Sequence, residues 1–125
     1  MKKYSVILNN FPMKNIFSVD PGYKTSGFTH ISLDSNKILS VEMWSSTVKD
    51  LKIMGISIPE LFKIARNRAY FFVSQMEHIN SKGLCVILEY TSLNQQFSTS
   101  LNILVAIYLS ILVEKELCSE IILVP

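Results

Sequence analysis

Two short apolar runs, 69 residues apart at their acidic ends, each deliver a single carboxylate to the end of a strand. Ile16-Phe17-Ser18-Val19 leads into the turn Asp20-Pro21-Gly22, with Ser26-Gly27-Phe28 just beyond it. Leu84-Cys85-Val86-Ile87-Leu88 leads straight into Glu89 and then into the polar stretch Tyr90 to Ser100. A chain with this pattern is constrained to a sheet whose strand ends carry acids.

A carboxylate at the end of a buried strand is costly to desolvate unless a cation or hydrogen-bond donors compensate it. Two such groups brought together repel, and a divalent ion removes the repulsion. Mg²⁺ suits the arrangement because it prefers oxygen ligands and binds one or two protein carboxylates, with water and phosphate oxygens completing its shell. Asp20 alone is also explained by its turn, since Asp, Pro and Gly all favour turns for local reasons. Glu89 is harder to explain that way, because Glu is an uncommon turn former.

Periodicity supplies the remaining elements. Ile16 to Val19 reads as a first strand, and Gly27 to Leu33 with Ile38 to Trp44 as a hairpin turned by Asp34-Ser35-Asn36. Ser57 and Glu60 form a capping box, with Pro59 tolerated in the first helical turn. The helix they open is expected to run to about Ile79, burying Ile58, Leu61, Phe62, Ala65, Ala69, Phe72, Val73 and Met76. Asn80 to Gly83 ends it. After the strand that carries Glu89 and a polar loop, a second helix is expected to about Leu117, then a short strand, Ile121 to Val124. The fold class is therefore α/β, in the order βββαβαβ. Met1 to Lys14 and Thr47 to Gly55 are the expected flexible segments.

At this point the chain resembles the RuvC-like Holliday junction resolvases of the RNase H-like superfamily. The matching residues are Val19-Asp20-Pro21-Gly22 with Gly27 seven positions after the acid, then Ile87-Leu88-Glu89, Asn94, and Ile121 to Pro125. Ser26 stands where the family carries Thr. The resemblance covers residues 15–125, which read as an RNase H-like mixed-sheet domain after an N-terminal extension of residues 1–14. It implies a divalent-metal-dependent endodeoxyribonuclease that hydrolyses branched DNA, the four-way junction of recombination and repair, and that works as a homodimer.

The implied metal ligands and catalytic residues are Asp20 and Glu89, holding Mg²⁺ with Mn²⁺ as a substitute. The implied substrate contacts are Lys24, Tyr90, Asn94 and Phe97. The resemblance has departures. Family members carry two further acids on a final helix, to which no residue here corresponds, so the domain is expected to be incomplete at its C-terminus. The family's DNA-facing aromatic falls on Ser92. A second reading follows from these departures: a catalytically incomplete module that binds junctions or a protein partner without cutting. A fragment of the actin-like ATPase fold is a third, though it leaves Glu89 without a purpose.

Charge and composition bound the rest. Residues 1–68 hold ten Lys or Arg against five acids, and residues 69–125 hold two against five. Lys14, Lys24, Lys49, Lys52, Lys63, Arg66 and Arg68 could meet a phosphate backbone, or could simply form a solvated surface. The hydrophobic fraction of 49% against 18% charged excludes extensive disorder. Cys85 and Cys118 lack metal-ligand spacing and read as free thiols in a reducing, cytoplasmic compartment. Leu101 to Val113, the longest apolar stretch, is below the roughly 18 residues of a membrane span, so no membrane partner is expected. His30 and His78 have no partner at a diagnostic spacing and read as structural.

Overall fold

A computed structural model describes residues 14–35, 37–77, 84–90 and 98–125, the last segment without the side chain of Ser98. Strands β1 (Asn15–Asp20), β2 (Thr25–Asp34) and β3 (Lys37–Thr47) are followed by helix α1 (Ile58–Met76), strand β4 (Leu84–Glu89), helix α2 (Ser98–Lys115) and strand β5 (Glu120–Val124). This is the βββαβαβ order expected from the sequence. The sheet runs β3-β2-β1-β4-β5. β1 to β3 form an antiparallel meander, while β4 lies parallel to β1 and β5 parallel to β4. The meander follows from the short turns between its strands, and the parallel pairs need the helical crossovers that α1 and α2 supply.

Alternation along the strands divides the sheet into two faces. Phe17, Val19, Phe28, Leu84, Val86 and Leu88 join both helices in one core. Phe72 of α1 is its aromatic centre, stacked on Tyr108 of α2 at 5.1 Å between ring centroids and set edge-on to Phe17 at 5.5 Å. The opposite face gathers Ile16, Leu33 and Cys85 with Ile31, Ile87 and Ile122, a cluster that includes no residue of either helix. Asp20 and Glu89 share the alternation of Ile16 and Cys85, so both acids belong to this second face.

Several expectations from the sequence need correction. Ile58 and Phe62 are exposed, because the buried arc of α1 is narrower than the periodicity implied and runs through Leu61, Ala65, Arg68, Ala69, Phe72 and Met76. Arg68 is 5% exposed and cannot meet a phosphate backbone. The capping box is half made: Ser57 accepts from the Glu60 amide, but the Glu60 carboxylate turns instead to Lys63 at 3.4 Å. Helix α2 stops at Lys115, where Glu116 takes a left-handed conformation with φ 50°. The connection after β3 is tied down, since Leu51, Ile53 and Ile56 pack against the core. His30 is structural, bonded to Asn15 Oδ1 at 2.9 Å and stacked on Phe17. Both cysteines are free, and burial pushes the Cys85 thiol up to about 12. No helix of the described residues is long and apolar enough to cross a membrane. Met1 to Met13, Asn36, His78 and Gly83 lie outside the described residues.

Candidate metal centre

Strands β1 and β4 run side by side in register, Asn15 opposite Leu84 through Val19 opposite Leu88. The next residue of each strand is an acid. Parallel pairing therefore sets Asp20 beside Glu89 at one edge of the sheet, on the same face, with both side chains exposed. Partial desolvation, and then the neighbouring Asp20 charge, push the Glu89 carboxyl above the ordinary glutamate range. Two neighbouring carboxylates, open to solvent and free of a basic partner among the described residues, suit a hard divalent cation that keeps water in its shell. No group of three or more His, Cys, Asp or Glu side chains occurs among the described residues.

The raised Glu89 value has a testable sign. Its folded-state pKa lies above its unfolded one, so the folded chain binds the proton more tightly than the unfolded chain. Stability accordingly falls as pH rises through the carboxylate range, and the cost is absent at lower pH. Glu89→Gln is expected to stabilise the metal-free chain at neutral pH by a few tenths of a kcal/mol, the scale of exposed charge interactions. Thermal unfolding with and without the substitution at pH 3 and pH 7 measures this, with the gain present only at pH 7.

The turn that carries Asp20 is held tightly. The Gly22 amide donates to Ser26 Oγ at 3.2 Å, and the Ser26 hydroxyl donates back to the Gly22 carbonyl at 2.9 Å. A side chain at Gly22 would overlap the backbone carbonyl of Thr25, so the glycine is required by space. Gly22→Ala is expected to cost about 1–3 kcal/mol, as overpacking does elsewhere, measured by denaturant unfolding. Tyr23 is buried, donates its hydroxyl to the Ser100 carbonyl in the first turn of α2, and has its pKa raised to about 12 by that burial. Gly27 faces Asp20 across the β1–β2 pair. Its missing side chain helps to open a depression of about 420 Å³ walled also by Phe28, Thr29, Met43, Trp44 and Ser45.

Of the residues singled out from sequence, Asp20 and Glu89 are brought together. Tyr90 follows Glu89 directly, partly exposed, with its amide bonded to the Val124 carbonyl at 2.8 Å. Lys24 is exposed in the β1–β2 turn, and its carbonyl accepts from the Val48 amide, which ties that turn to the residue after β3. Asn94 and Phe97 lie outside the described residues. Sequence reasoning missed the roles of Ser26, Tyr23 and Arg68. Arg68 was detectable, because it falls three residues after Ala65 and seven after Leu61, on the apolar stripe of α1.

No protein-family model and no curated protein sequence matches the chain. Solved structures do. A structure of Thermus thermophilus RuvC matches at 11% identity and a TM-score of 0.50, over 87% of this chain and 63% of that one. T. thermophilus RuvC in complex with a Holliday junction substrate matches at 10% identity and a TM-score of 0.51, over 88% of this chain and 66% of that one. The chain thus spans less than two thirds of the RuvC chains it matches. At this identity the likeness is one of fold: the chain has a RuvC-like, RNase H-like α/β architecture.

Proposed function

We propose that this chain is a divalent-metal-dependent endonuclease domain acting on branched DNA, with Asp20 and Glu89 holding the cation. One observation carries the reading: among the described residues, the parallel neighbours β1 and β4 both end in an acid, side by side on the face opposite the helix-covered core. The shared fold with a RuvC that binds a Holliday junction supports the choice of substrate.

A bound Mg²⁺ or Mn²⁺ would supply charge neutralisation and water activation at the scissile phosphodiester. The chain's own residues do the rest. Asp20 and Glu89 fix where the cation sits, and the clamped turn keeps Asp20 from swinging away. Lys24 and Lys49, both exposed, attract the phosphate backbone with little regard for sequence. Tyr90 offers a face on which an unpaired base at the branch can stack. Hydrolysis adds water across one P–O bond, leaving a phosphate on one end and a hydroxyl on the other. Two copies, each with one such site, would nick two strands of a four-way junction.

The test is incubation of the whole chain with an end-labelled four-way junction in Mg²⁺ or Mn²⁺. Nicks in two opposed strands, absent from linear duplex and from EDTA controls, are expected. Junction binding without a nick in either metal would contradict the nuclease reading and favour a binding module.

A further inference from the structure

We propose that Arg68 is a positioning residue for the acid-bearing turn, an inference that rests on the metal-site reading above. A guanidinium cannot shed its charge as a lysine can, and burying one without a carboxylate is unfavourable. Arg68 is 5% exposed and has no acidic partner among the described residues. Its Nε finds no hydrogen-bond acceptor among the described residues. Stability alone does not require a charge here, since buried charges can often be replaced by apolar side chains of similar volume.

What Arg68 does make is specific. Nη2 donates to Ser26 Oγ at 3.1 Å and to the Ser46 carbonyl at 3.1 Å, and Nη1 donates to Ser46 Oγ at 3.2 Å. Ser26 and Ser46 are register partners across β2 and β3, one pair away from Gly27, which itself faces Asp20. Ser26 Oγ thus accepts from Arg68 while bonded at both polar groups of Gly22. All three hydrogen-bonding positions of that hydroxyl are used. The guanidinium fixes the orientation of Ser26, Ser26 fixes the Gly22 peptide, and the peptide fixes the direction in which Asp20 leaves β1. The relation is that of an outer group orienting a metal ligand, whose removal elsewhere lowers metal affinity about 10–100-fold.

The experiment compares wild type, Arg68→Met, Arg68→Lys and Ser26→Ala as whole chains. Three quantities are read: the Mn²⁺ dissociation constant by electron paramagnetic resonance, the metal-free melting temperature, and the exchange rate of the Gly22 amide by NMR. Arg68→Met is expected to stay folded, yet to bind Mn²⁺ about 10–100-fold more weakly and to exchange the Gly22 amide faster. Arg68→Lys, which cannot span both serines, is expected to recover part of the affinity. Ser26→Ala is expected to match Arg68→Met in affinity, so the result stands even if Arg68→Met fails to fold.

Mn²⁺ affinity and Gly22 exchange unchanged in folded Arg68→Met or in Ser26→Ala would overturn the positioning role and leave the metal site standing. Absence of Mn²⁺ binding by wild type would instead overturn the metal-site reading, and the positioning role with it.

Discussion

Asp20→Asn is expected to lower metal-dependent junction cleavage by about 100-fold or more, the scale of losing one preorganised electrostatic group at a reacting site. Glu89→Gln is expected to do the same. Either substitution keeps the shape of the side chain and removes one of the two charges proposed to hold the cation. Neither acid packs in the core, so both variants should fold, and junction affinity measured in EDTA should stay near wild type. Gel-based single-turnover cleavage in Mg²⁺, with circular dichroism on the same samples, separates lost chemistry from lost structure. Loss of function in one variant alone would mean that the two acids do not act as a pair.

Phe72→Ala should cost about 3–5 kcal/mol, the range for emptying a large aromatic from a core. The side chain is fully buried at the point where α1, α2 and the sheet meet, against Tyr108, Phe17 and Phe28. Domains have total stabilities of only about 5–15 kcal/mol, so this variant should lose a large share of the stability of the fold. Urea unfolding followed by fluorescence of Trp44 provides the measure, because Trp44 packs against Phe17 and Phe28 of the same cluster. A loss below 1 kcal/mol would show that the helices do not close over the sheet as described.

The element order was legible because each strand and helix follows a local rule. Apolar runs end at turn residues, the Ser57 cap starts α1, and the meander needs only short turns. The pairing of Asp20 with Glu89 was not legible from spacing, since parallel neighbours are set by crossovers and not by separation along the chain. It came from family resemblance, and the register of β1 against β4 supplies its physical basis. The Arg68 misreading has a different origin. Charged residues are placed on solvated faces by default, and that default fails when a guanidinium has carbonyl and hydroxyl acceptors inside the fold. From sequence Ser26 is only a substitute for threonine, whereas its hydroxyl is the link between the Gly22 turn and α1. Phe62 shows the opposite failure, an apolar residue one step outside the buried arc.

Direct titration of Mn²⁺ into the metal-free chain, followed by electron paramagnetic resonance, tests the central claim at its root. The account predicts saturable binding to wild type that weakens by about 100-fold or more in both Asp20→Asn and Glu89→Gln, beyond the 10–100-fold expected for an outer-shell change. Binding of equal strength in wild type and both variants, or no binding to wild type, would contradict it.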